Sequence, residues 1–152
     1  MAVSRSMRRL LHIREMEEEL SQAALEAALN ELRRLQAVLA AARERERGGR
    51  RIVAASARTG EVTDRIAGLE EIKAGQSHAV ALKPLAAEAE LAVDSRRQEF
   101  GAKRTERRQV ETLIRKIEAG DAAEAVRRAQ KDVDNWFLDK TRRGAGSGKE
   151  ND

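Results

Sequence analysis

The chain has no cysteine. No disulfide framework and no thiolate metal site can be built from it, and the composition fits a reducing compartment. Tyrosine is absent too, and one Trp and two Phe are the only aromatic residues. With β-branched residues sparse as well, there is little material for a sheet. Pro84 is the single proline, so helix-breaking punctuation is almost missing. The longest apolar run, "AVLAAA" from Ala37, is far too short to span a membrane. The opening "MAVSRSMRRLL" lacks the apolar stretch of a signal peptide, so the chain reads as soluble.

What is there instead is charge and alanine. Charged residues make up 37% of the 152, with Ala, Leu, Glu and Arg abundant, a composition typical of long helices rather than of a layered fold. Thirty basic and 26 acidic residues leave a net charge of only +4, because the signs are interleaved. A pI near 9.8 is weak evidence for a nucleic-acid partner on that background, and so few aromatics leave little for base stacking.

Periodicity organises the chain into two long helices. Ile13, Met16, Leu20, Ala24, Ala28, Leu32, Leu35, Leu39 and Ala42 recur at spacings of three and four, which predicts an apolar seam on a first helix over about 3–58. Ser4 or Ser6 can cap its start, and the acidic "EMEEE" lies toward its N-terminus. Gly48 and Gly49 weaken that helix without supplying a turn, whereas Thr59 and Gly60 are the best stop signal. Thr63 or Asp64 then caps a short helical piece, "DRIAGLEEIKAG", inside a connector over about 59–83. Pro84 suits the first turn of a second helix running to about 142. Val110, Ile114 and Ile117 form one part of its seam, and Val126, Ala129, Val133 and Trp136 another. Gly120 and the capping-box pair Asp121 and Glu124 mark a candidate break, but the basic, apolar-periodic pattern resumes at once and favours continuity. Residues 144–152, "GAGSGKEND", read as a flexible tail.

Two helices with one apolar stripe each must bury those stripes on each other. The predicted fold is therefore all-α: one antiparallel two-helix coiled-coil hairpin over 1–143 with a short helical connecting segment, a rod roughly 80 Å long at ~1.5 Å per residue. A fold-back across 59–83 pairs residues whose numbers sum to about 142, which sets Phe100 against Leu39 and Ala42. It also brings "DVDNWFLDKTRR" to the start of the first helix. In that register Trp136 is a structural clasp against Met7, Leu10 and Leu11, leaving Phe137 at the rim beside Leu138, Lys140 and Arg142 as a partner anchor.

Sites for chemistry are hard to find. "GAGSGKE" resembles a phosphate-binding loop only faintly: its glycines are one residue too close, and Glu150 stands where Ser or Thr should follow the lysine. His12 and Glu15 are three apart on one face, but two ligands do not make a metal site and His78 is remote. The carboxylates read as solvated partners of bases, as in Glu99 with Lys103, Glu111 with Arg115 and Glu124 with Arg128. The chain reads as no enzyme, with no cofactor and no metal. One basic line stands out: Arg97, Arg104, Arg108 and Arg115 recur at seven, four and seven, with Arg96, Lys103 and Arg107 alongside. Such a line is either a solvated coiled-coil face or a docking surface for an acidic partner.

"MRRLLHIREMEEE" near the start and "AVRRAQKDVDNWFLDK" near the end together resemble the FliJ family of flagellar export proteins, whose YscO-type relatives serve virulence type III secretion. Arg127, Arg128, Gln130, Lys131, Asp134 and Trp136 carry the likeness best. The resemblance implies a cytoplasmic two-helix stalk similar to that of rotary ATPases, peripherally associated with the inner-membrane export apparatus and without membrane insertion. Its implied partners are the export ATPase hexamer, the cytoplasmic domain of the export gate and export chaperones, with no nucleic acid. Arg97, Arg104, Arg108, Arg127, Arg128, Lys131 and Phe137 are then the candidate partner-binding residues. A virulence-system stalk, a basic nucleic-acid-binding helical protein and a plain coiled-coil homodimer are the alternatives.

Overall fold

Helix α1 runs Arg5–Thr59 and helix α2 runs Val62–Gly146 in a computed structural model that describes residues 2–146. The two pack on each other as an antiparallel coiled-coil hairpin, and no strand occurs among the described residues. Ser4 caps α1: its Oγ accepts the Met7 N–H at 3.2 Å. The acidic run beginning at Glu15 lies well beyond the first turn, which contains no acid, so the dipole argument for it does not apply.

The turn is tighter than the sequence suggests. Gly60 adopts φ +76°, the left-handed conformation that glycine takes without a Cβ clash, and its N–H reaches the Ser56 carbonyl at 2.8 Å. The Arg65 N–H already bonds the Glu61 carbonyl at 3.3 Å. The expected connector over 59–83 therefore shrinks to Gly60 and Glu61. Residues 62–83 are helical, but as the first part of α2 rather than a separate piece capped by Thr63 or Asp64.

Pro84 consequently lies inside α2, not at its start. Its ring is exposed while Leu82 and Ala86 on either side are buried, so packing holds the helix through a position that cannot donate a backbone hydrogen bond. Helix α2 is also unbroken through Gly120, as continuity of the pattern predicts. The expected flexible tail begins inside the helix, at Gly144–Gly146, and its remainder lies outside the described residues.

The packing falls into two units: Met16–Arg104, and Met1–Glu15 together with Thr105–Asp152. In the first, Leu35, Ala42, Gly49 and Ser56 of α1 stand seven apart, all buried. Gly68, Gly75, Leu82 and Ala89 of α2 are buried at the same interval, and so are Ala79, Ala86 and Val93. A strict seven-residue repeat is the coiled-coil condition. Near the turn the seam is made of glycine: a Cβ at Gly75 would lie 2.7 Å from the Ala42 carbonyl oxygen. Farther out, Leu35 and Leu82 supply bulk, each stabilising the pair by about 1.5–3 kcal/mol when fully buried.

The register differs from the expected one. Arg45 meets Glu71 at 2.6 Å and Glu17 meets Lys103 at 3.8 Å; in the second unit Arg14 meets Glu106 at 2.6 Å. Paired residues thus sum to about 120 rather than about 142, because the turn is centred at Gly60 and Glu61. Phe100 is then level with Leu20, not with Ala42, which packs against the alanine and leucine cluster of α2. Ile13, Met16 and Leu20, expected in the seam, are exposed, Leu20 by 70%. Met7, Leu11 and Arg14 turn inward instead, toward Val110, Ile114 and Ile117 in the second unit.

Candidate docking face on the second helix

The shifted register leaves α2 longer than its partner. Ala2 shares a shallow recess with Asp121, Glu124, Ala125 and Arg128, and every residue from 122 to 146 is exposed. The buried line Val110, Ile114, Ile117 would continue, at spacings of four, three and four, through Asp121, Glu124 and Arg128. All three are charged, so the seam ends chemically where α1 begins.

Apolar residues return on another face. Ala122, Val126, Ala129, Val133 and Trp136 keep the four-and-three spacing, yet Val126 follows Ile117 by nine residues, about half a turn out of phase at ~100° per residue. The second seam segment expected from the sequence is therefore real as a stripe but is not a seam. Traced back by sevens, it leads to Arg115 and Arg108. Within this unit one outer line of α2 is basic at Arg108 and Arg115 and apolar from Ala122 to Trp136, and it ends at Lys140.

Trp136 and Phe137 are each 56% exposed, so the clasp assigned to Trp136 is corrected. With pairs summing to about 120, Met7, Leu10 and Leu11 lie level with Val110 and Leu113, far along the helix from either ring. The rings hold each other instead, edge to face with centroids 5.0 Å apart, and Lys140 Nζ stands 5.0 Å over the indole. Beside them, Thr141 Oγ1 donates to the Phe137 carbonyl at 2.8 Å and Gln130 Nε2 to Asp134 Oδ1 at 2.9 Å. Phe137 and Leu138 are exposed, but the rim expected beside Met7, Leu10 and Leu11 is not at this place.

The other candidate residues are distributed rather than gathered. Arg97 reaches Asp94 at 3.9 Å and Arg104 is exposed in the first unit. Arg108 borders a shallow apolar groove with Thr105, Gln109, Thr112, Leu113 and Lys116 in the second. Arg128 bonds Glu124 at 3.5 Å, and Arg127 and Lys131, four apart, share the side of α2 away from Val126 and Val133. Two of the three expected carboxylate pairs form, Glu111 with Arg115 at 3.4 Å and Glu124 with Arg128. The third does not: Glu99 pairs with Arg96 at 3.0 Å, and Lys103 crosses to Glu17. His12 Nδ1 lies 4.0 Å from Glu15 with both side chains exposed, and no cluster of three metal-ligating side chains occurs among the described residues. No described helix is long and apolar enough to cross a membrane.

No protein-family model matches this chain, and no curated protein or solved structure matches it either.

Proposed function

We propose that the protein is a non-enzymatic helical adaptor that docks a protein partner along the outer line of α2. On the sequence resemblance, that partner is the export ATPase ring of a flagellar type III export apparatus, with the export gate and export chaperones as further contacts. One observation carries the reading: a long terminal stretch of α2 has an apolar, aromatic-tipped line and no cover from α1. Val126, Ala129, Val133 and Trp136 have the spacing by which an amphipathic helix anchors in a partner's groove. Trp is the residue type that most often dominates such contacts, and Arg108 and Arg115 on the same line suit acidic groups beside the groove. The hairpin keeps that stretch in helical form by continuity with the packed part of α2.

The test uses the purified chain and a purified flagellar export ATPase from the same source. The wild-type chain binds the ring and changes its turnover. Val133→Ala combined with Trp136→Ala weakens binding by about tenfold or more while the hairpin melts as before. A well-behaved pair that neither binds nor alters turnover would remove the export reading, and equal binding by the double variant would remove the docking line.

A further inference from the structure

We infer that the uncovered stretch of α2 pairs antiparallel with the same stretch of a second copy of this chain. The inference shares its surface with the docking reading, but it is tested on the chain alone, so either can fail without the other.

An uncovered helix with an apolar line is only marginally favoured in water, and covering the line stabilises it. The line itself says what kind of cover fits. Each half carries one valine, Val126 and Val133, but the first otherwise holds the small Ala122, Ala125 and Ala129, and the second the large Trp136, Phe137 and then Lys140. A copy laid in parallel sets indole against indole and alanine against alanine, crowding one end and leaving a gap at the other. Laid antiparallel, the large half covers the small half.

The spacing permits that meshing. Ala122, Val126, Ala129, Val133, Trp136 and Lys140 are separated by four, three, four, three and four, a sequence of intervals that is the same from either end. About a dyad near Lys131, Val126 sits beside the partner's Trp136, and Ala129 beside the partner's Val133. Phe137, on one flank, covers the partner's Ala123. On the other flank Arg143 comes within two residues of level with the partner's Asp121, whereas Arg128 stands about five residues, roughly 7 Å, along the axis from the partner's Asp139. One contact opposes the pairing: Asp132 comes next to the partner's Asp132 at the dyad. The second copy takes the outer face of α2, not the line that α1 occupies farther down, because the buried line has turned polar at Asp121, Glu124 and Arg128.

Sedimentation equilibrium of the full chain tests this. The expected result is a reversible species of twice the chain mass. Trp136→Ala should raise its dissociation constant by about tenfold or more, with the main melting transition of the hairpin unchanged because the ring is exposed and lies outside the packed core. Asp132→Asn, which removes the like-charge contact, should tighten it. Orientation is read by single cysteines in a chain that has none. Asp132→Cys should form a disulfide-linked dimer, whereas Ala123→Cys should not, since antiparallel copies hold those positions about 24 Å apart at ~1.5 Å per residue. A monomer at all concentrations overturns the inference. So does a dimer indifferent to Trp136→Ala, or one that links through Ala123→Cys. A monomer that instead binds vesicles of anionic phospholipid through Trp136 assigns the face to a membrane surface and overturns it as well.

Discussion

Gly49 and Gly68 face each other across the hairpin so closely that a Cβ on Gly49 would lie 2.7 Å from the Gly68 carbonyl oxygen, and a Cβ on Gly68 would lie 2.8 Å from the Gly49 carbonyl oxygen. Backbone meets backbone there, so no flexible side chain can move aside. In isolation, replacing a mid-helix glycine by alanine is favourable by roughly 1 kcal/mol. At Gly49 the clash outweighs that gain, since overpacking costs about 1–3 kcal/mol and the nearest atoms are main chain. Gly49→Ala should therefore lower the melting temperature. Gly120→Ala is the control: nothing lies within 4 Å of its Cβ position, and it should be stabilising by roughly 0.5–1 kcal/mol. Thermal or urea unfolding of the two variants decides, and equal stabilisation by both would mean that the helices do not touch at Gly49.

Pro84 offers the second test. It removes one hydrogen bond from the interior of α2 on an exposed face, while Leu82 and Ala86 beside it are buried against α1. Pro84→Ala restores the donor without disturbing the packed side, and should be stabilising by up to about 3 kcal/mol. Had α2 begun at Pro84, the same substitution at a first turn would change little.

These two sites also explain what the sequence could reveal. Two helices, an antiparallel arrangement and the stop at Thr59 and Gly60 were all legible, because a seven-residue repeat and a glycine beyond a helical pattern have local causes. The register was not. Pro84 reads as a helix start by propensity, but buried neighbours on both sides override it, and moving the start of α2 back to Val62 shifts every pairing by about 20 residues. That shift released Trp136 from Met7 and left it exposed. One local signal did point the right way: Val126 stands nine residues after Ile117, out of phase with the seam it was assigned to. Likewise Ile13, Met16 and Leu20 form a good stripe, yet the inward side of α1 there carries Leu11 and Arg14, with Arg14 reaching Glu106. Apolar periodicity identified stripes but could not say which of two stripes met the partner helix.

Acid should loosen the turn end of the hairpin. The hydrogen bond from Arg45, Nε to Glu71 Oε2 at 2.6 Å, holds the Glu71 carboxyl below its ordinary value of 4.5; the charge of the same guanidinium adds to this and partial desolvation opposes it. A group with a lowered folded-state value contributes stability above its unfolded value and loses it as pH falls through the folded one. Glu61 behaves oppositely, raised first by a hydrogen bond with Asp64 and then by its charge, so its contribution is present in acid and lost as pH rises. The Arg45–Glu71 pair joins the two helices, whereas Glu61 and Asp64 lie beside each other at the turn. The expected outcome is a melting temperature that drops as pH goes below 4.5, with a shallower drop in Glu71→Gln. Both side chains are solvent-accessible, so the difference should shrink in high salt. Melting curves across a pH series at two salt concentrations give the answer, and identical slopes for the two chains would exclude this pair as the acid-sensitive contact.

The adjacent rings of Trp136 and Phe137 give the sharpest prediction, because two accounts of them expect different melting behaviour. A clasp on the first helix makes Trp136 stabilising and Phe137 neutral. The structure leaves both 56% exposed, in contact with each other, with Lys140 over the indole alone and no cover from α1. Losing one ring then costs the edge-to-face contact, about 0.5–1.5 kcal/mol, and for Trp136 the exposed Lys140 contact as well, all within a stretch which frays independently of the core around Leu35 and Leu82. Trp136→Ala and Phe137→Ala should each leave the main melting transition in place. Their effects should appear together in local measurements instead, as faster amide exchange over 122–146 in the chain held at a concentration too low to associate. Intrinsic fluorescence gives an independent check, since the chain has a single Trp: the indole should be accessible to a neutral quencher in the free protein and shielded once a partner or a second copy covers it. A large drop in the main transition for Trp136→Ala, together with an indole shielded in the dilute chain alone, would restore the clasp and remove Trp136 from the docking face.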